Sequence, residues 1–142
     1  MPTSVAETFC QEWFRRVWNN LEVGAIDELM TTDCVAHGLG SEPLRGPSGF
    51  RTLHDAFTSS FKDIRIEVLQ EVHEGDLVAA YCSANVVTRA DERHLTFYGC
   101  PMIRLRGRQI AEAWNVWDFL TLAEGVGAVP VQSLQAAFIA AR

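Results

Sequence analysis

A carboxylate, Asp118, closes the run Gln109-Ile110-Ala111-Glu112-Ala113-Trp114-Asn115-Val116-Trp117-Asp118. Read as one long strand, strict alternation puts Glu112, Trp114, Val116 and Asp118 on one face and Ala111, Ala113, Asn115 and Trp117 on the other. A carboxylate on a dry sheet face must find a hydrogen-bonding partner or hold a proton, and either state suits general acid–base work. Asp118 is therefore the first candidate for catalysis, as base and then acid; the plainer reading is a group that caps or bridges local backbone. His37, near the end of a short strand Cys34–Gly38, could orient a substrate oxygen or shuttle a proton, or simply bond the loop that follows. Trp114 shares the Asp118 face and offers a flat wall to a polycyclic ligand, with core packing as the alternative. Tyr81 and Tyr98 carry the hydroxyls that could polarise a carbonyl; as core tyrosines they would only be tethered.

His94 and Arg104 depend on the hairpin at Arg106-Gly107-Arg108. A three-residue turn with Gly107 in a left-handed bulge would place His94 opposite Asp118, and a two-residue turn would send His94 and Arg104 to the other face. Both registers are open at this level. Glu112 is expected in a salt bridge with an arginine at the rim.

The elements that must position these residues follow from periodicity. Val5, Phe9, Trp13, Val17 and Leu21 recur every four residues, so Ser4 to Leu21 reads as one amphipathic helix with Ser4 and Glu7 as its capping box. Ala25–Met30 is a short second helix, and a third starts at a Ser48 cap and runs to about Phe61, with Phe50, Leu53, His54 and Phe57 on one side. From Ile64 the period changes to two. Strands are expected over Ile64–His73, Leu77–Arg89 and His94–Leu105, the last interrupted by Pro101, with turns at Glu74-Gly75-Asp76 and Ala90–Arg93. Phe119–Leu122 reads as a continuation of the last strand, and Gln132–Ala141 as a final helix resting on Leu134, Phe138 and Ile139. Helices first and hairpin-linked strands after imply an α+β domain. We expect a cone-shaped α+β barrel: a strongly curved, mostly antiparallel sheet wrapped around a long N-terminal helix, with an apolar pocket inside and all of residues 1–142 in one domain.

Composition narrows the class. With 142 residues the chain can bury one sizeable core. A net charge of −6 with 12 scattered basic residues argues against a nucleic-acid partner. No apolar run reaches the length of a membrane span and Met1-Pro2-Thr3-Ser4 opens no signal peptide, so a cytoplasmic protein without a membrane partner is expected. The four cysteines, Cys10, Cys34, Cys82 and Cys100, lack C-x-x-C spacing and read as buried thiols; no metal and no cofactor is expected. An apolar convex sheet face, to which Ala113 and Trp117 could contribute, would pair two copies into a homodimer.

Three blocks carry a family resemblance. Trp18-Asn19 through Asp27 to Asp33-Cys34-Val35-Ala36-His37-Gly38 is the first, and Gly46-Pro47-Ser48-Gly49-Phe50-Arg51 through Phe61-Lys62-Asp63-Ile64 the second. The third, Ile103-Arg104 through Gly107, Glu112 and Trp114 to Asp118, has the form I-R-x-x-G-x-x-I-x-E-x-W-x-x-x-D. In this order and spacing they resemble the SnoaL-like polyketide cyclase (ester cyclase) family, on the nuclear transport factor two-like cone fold. The resemblance implies cofactor-independent aldol cyclisation of an apolar, carbonyl-bearing polyketide-type ester, with Asp118 as general acid/base. Relatives on the same fold isomerise, hydrolyse, or have no known reaction, so a binding module without turnover stands beside the enzyme. Gly125-Val126-Gly127 replaces the family's Q-L-G, and the segment between Val87 and Gly99 is short.

Overall fold

The computed structural model describes residues 5–142. Thr8 caps the first helix, α1 (Phe9–Trp13), through a capping box with Gln11. The Ser4 box expected from sequence lies outside the described residues. Instead of continuing as one long α-helix, the chain widens into a π-helical turn at Phe14–Asn19. The turn is closed from outside. His54 Nε2 meets Val17 O at 2.8 Å, and Asn19 both donates to Ile66 O (3.1 Å) and accepts from Ile66 N (2.7 Å). Asn19 thus imitates a strand neighbour and ties the helix to the sheet. Asn19→Ala would leave a buried amide and carbonyl at Ile66 without partners. A loss of about 2–3 kcal/mol is expected in urea unfolding, whereas Asn20→Ala, on an exposed neighbour, should stay near wild type.

After α2 (Ala25–Leu29) come β1 (Met30–His37), the two-residue β2 (Leu44–Arg45) and α3 (Gly46–Ser60). α3 starts with Pro47 in its first turn and not at a Ser48 cap. The sheet continues as β3 (Phe61–Glu74), β4 (Leu77–Thr88), β5 (His94–Gly99), β6 (Met102–Arg106) and β7 (Gln109–Trp114). Pro101 does more than interrupt a strand: it splits the expected His94–Leu105 element, because proline cannot donate to a ladder. β5 pairs with the far half of β4, β6 with its near half.

The order is β2-β1-β7-β6-β4-β3, antiparallel throughout except for the parallel β1–β7 pair. The concave face closes on α1, the π-turn and α3. This is the expected α+β cone. Phe9, Trp13, Val17, Trp18, Phe50 and Phe97 are all buried in one core, and their aromatic edges meet, as in Trp13–Phe50 at 5.3 Å.

Phe119 to Gly125 is a helix, α4, not a strand extension. The last helix, α5 (Ser133–Ala140), exists, but the packing expected of it does not: Leu134, Phe138 and Ile139 are 45–66% exposed. Its apolar residues spread around the helix, which leaves no single face to dock. Among the described residues no helix is long and apolar enough to cross a membrane, and no cluster of His, Cys, Asp and Glu could hold a metal. Cys10, Cys34 and Cys82 are buried free thiols; Cys100 is exposed, a correction that follows from its place in the β5–β6 break.

Ion pairs brace the helical end. Arg16 reaches Glu12, Glu22 and Glu28, and Arg108 from the β6–β7 hairpin also meets Glu12. The Arg108 guanidinium, then that of Arg16, holds Glu12 below its usual 4.5. A lowered folded-state pKa contributes stability that is present above the unfolded value and is lost as pH falls through the folded one. Thermal melts should therefore weaken as pH drops below about 4.5, and Arg108→Gln should flatten that dependence.

Candidate binding site

The interior of the cone is not filled. A cavity of about 430 Å³ lies between the helices and the sheet, within the range of small-molecule sites. Its origin is compositional. Ala36, Ala84 and Ala113 face inward from β1, β4 and β7, where larger side chains would have closed the space. Around them stand Trp13, Phe14 and Trp18 from the first helical segment, Phe50 and Phe57 from α3, Phe97 from β5, and Trp117. Gly38, Gly40 and Phe119 are the exposed members of this wall, so the mouth opens between the loop after β1 and the start of α4.

Among the described lining residues, none carries a carboxylate, imidazole, ammonium or guanidinium. Cys10 lines the cavity, but burial, reinforced by the charge of Glu71, pushes its thiol up to about 12. It is a neutral apolar group at pH 7, not a nucleophile. Asn115 is the one lining side chain with an amide or hydroxyl. The wall can desolvate, flatten and orient a ligand; it holds no group of ordinary acid–base strength.

The expected site residues fall elsewhere. Asp118 is exposed and caps α4, accepting from Thr121 N (3.0 Å) and Thr121 Oγ1 (2.6 Å). Its neighbours Trp117 and Phe119 line the cavity while its own carboxylate does not. The face expected to be inner is the outer one. Ala111 is the cause. Across the sheet Leu105 pairs with Ile110 and Arg104 with Glu112, so Ala111 has no partner and bulges. Beyond this extra residue Ala113, Asn115 and Trp117 point into the cone, and Glu112, Trp114 and Val116 away from it. Ala113 and Trp117 accordingly cannot supply a convex dimer face.

On the outside the structure does gather three expected residues. His37 Nε2 lies 2.8 Å from Glu112 Oε2, and the His37 ring stacks on Trp114 at 5.9 Å. Both partners are more than a third exposed, so the pair contributes little stability. Tyr81 and Tyr98 stack on one another at 6.0 Å on the same outer face, about half exposed, and are not core tyrosines. Arg104 pairs with Asp76 at 2.8 Å. The hairpin resolves with Arg106 opposite Gln109, a two-residue turn. His94 pairs with Val87 on β4 and is exposed, because β5 meets the last segment only at Gly99 and Trp117. None of these residues reaches the cavity.

Two signals were present in the sequence and point to this arrangement. Asp118 directly before an apolar run, with Thr121 three residues on, is an N-cap pattern. Asn115 between two tryptophans is the polar residue on the face that turns inward. Asp118→Ala should cost about 1 kcal/mol through the lost cap, measured by urea unfolding, and should leave ligand affinity within twofold of wild type.

A family model described as SnoaL-like polyketide cyclase matches residues 8–125. No curated protein matches the chain. Among solved structures, AclR, a candidate hydroxylase from Streptomyces galilaeus, is 18% identical with TM-score 0.74, over 86% of this chain and 95% of that one. IdmH, a candidate polyketide cyclase from Streptomyces antibioticus, is 23% identical with TM-score 0.70, over 82% and 96%. A protein of ketosteroid isomerase-like fold from Catenulispora acidiphila, in complex with trimethylamine, is 13% identical with TM-score 0.73, over 87% and 95%. At these identities the likeness concerns fold, and the three descriptions differ in chemistry.

Proposed function

The chain belongs to the SnoaL-like polyketide cyclase family, and from that premise we propose that it binds an apolar, ring-forming small molecule of the polyketide-ester type inside the cone and acts by shaping and desolvating it. The observation that carries this is the 430 Å³ cavity walled by aromatic rings and alanines, with no ionisable group of ordinary strength in its lining. Such a wall favours compact, stacked conformers of a flexible chain and excludes water, which lowers the entropic part of a cyclisation barrier. No cofactor enters this reading.

Acid–base catalysis by Asp118 is the second reading. It is favoured by the position of Asp118 at the mouth, between two lining residues. Against it stands the occupation of both carboxylate oxygens by Thr121. His37 would join the mechanism only from outside the cone, so we assign it no part.

The test is binding. Pyrene, a rigid apolar probe excited by energy transfer from tryptophan, should titrate saturably with micromolar affinity, since Trp13, Trp18 and Trp117 line the cavity. Absence of saturable transfer would remove the binding reading. Turnover of a linear polyketide ester by wild type, abolished in Asp118→Ala, would put the second reading first.

A homodimer is proposed on the convex face, with Tyr81, Tyr98, Met102, Trp114 and Val116 as its apolar residues, each at least partly exposed. Met102 lies opposite Trp114, and Trp114 opposite His37, so the row is continuous across β6, β7 and β1. A monomer by light scattering at micromolar concentration would count against this. The buried free thiols suit a reducing, cytoplasmic setting.

A further inference from the structure

We infer that the molecule held in the cone presents a hydrogen-bond donor, a hydroxyl or N–H on its apolar body, to Oδ1 of Asn115; this inference rests on the cavity being a ligand site. Asn115 Oδ1 is the one side-chain oxygen among the described lining residues. Its orientation is set by chemistry. The side-chain nitrogen lies 3.1 Å from His37 O, and a carbonyl can only accept, so the NH₂ end of the amide must face His37. The oxygen is then the free end, and no hydrogen bond from a described side chain reaches it.

The group is also held still. Asn115 N donates to the same His37 O at 2.9 Å. Its backbone oxygen sits where a Cβ on Gly38 would be, 2.1 Å from that position. Side chain, amide and carbonyl are thus fixed on one strand junction, and little freedom is left to lose when a ligand binds. Oδ1 is open to water in the unliganded cone, since Thr31 Oγ1 is the one buried side-chain atom left unpaired among the described residues. A ligand that fills the cavity strips that water away, and the oxygen is then costly to leave unpaired. A ligand hydroxyl satisfies it. A ligand carbonyl or carboxylate at the same point would set two lone-pair oxygens face to face and be rejected. Asn115 is therefore a specificity residue that selects donor-bearing over fully oxidised or alkylated ring systems at this end of the cavity.

The experiment compares 1-hydroxypyrene, 1-methoxypyrene and pyrene by fluorescence titration on wild type, Asn115→Ala and Asn115→Leu. The leucine variant keeps the branched outline of the side chain without its polar atoms if alanine proves unstable. Wild type should bind 1-hydroxypyrene roughly tenfold tighter than the other two, a factor expected of one buried hydrogen bond. Both variants should lose that preference and keep pyrene affinity within about threefold. Equal affinities in wild type, with pyrene still bound, would overturn the role of Asn115 and leave the cavity as a ligand site. A hydroxyl preference that survives in the folded variants would do the same. Failure of all three probes to bind wild type would overturn both readings.

Discussion

Gly38→Ala is expected to unfold the protein over most of its working range, with a loss above about 4 kcal/mol in urea unfolding. Two effects add. Gly38 has φ +87°, where an L side chain is strained by roughly 1–2 kcal/mol. The added Cβ would also lie 2.1 Å from Asn115 O, a backbone atom that cannot rotate away. Relief requires the ends of β1 and β7 to separate, and the two bonds from Asn115 to His37 O go with them. The β1–β7 pair is the parallel joint of the sheet, so the cone opens at its mouth. A variant that loses less than about 1 kcal/mol would show that this joint spreads freely.

Ala113→Leu should do the opposite: leave stability nearly intact and abolish binding. Enlarging a buried alanine ordinarily overpacks a core by about 1–3 kcal/mol. Here the added atoms enter a cavity of about 430 Å³, where they gain contacts that the wall lacks. Stability within about 1 kcal/mol of wild type is expected, together with a loss of pyrene affinity of at least a hundredfold. Retained affinity would place the ligand away from β7. Because the folded population is unaffected, the two readouts separate a blocked site from a damaged fold.

The cone was legible because its helices and strands announce themselves by period. Phe50, Leu53, His54 and Phe57 share a face as their spacing requires, and Glu74-Gly75-Asp76 turns where a glycine permits it. The site was less legible, and the reason is local. Alternation correctly grouped Ala113, Asn115 and Trp117, but which group points inward depends on Ala111, an unpaired residue with no sequence mark of its own. One bulge exchanges the wall of a pocket for an outer surface, and Asp118, Trp114 and Glu112 moved outside with it. Asp118 drew attention as a charge at the end of an apolar strand. The same residue is better read as the first turn of the next helix. The π-turn at Phe14–Asn19 was invisible because Phe14 and Trp18 satisfy an α-helical stripe equally well.

β3 ends the sheet, and its 14 residues make a long edge that Asn19 covers at Ile66. Such an edge invites another strand and, repeated, a fibril. Here Lys62, Arg65, Glu67, Glu71 and Glu74 place charges along it, Asp63 turns left-handed at φ +50°, and the pairing with β4 slips twice, after Lys62 and after Val68. An incoming chain would meet a bent and charged rail instead of a flat ladder. The irregularities that shape the cone thus leave a second molecule little flat ladder to pair with, and a hollow, apolar interior is enclosed by a sheet whose edge works against templated stacking.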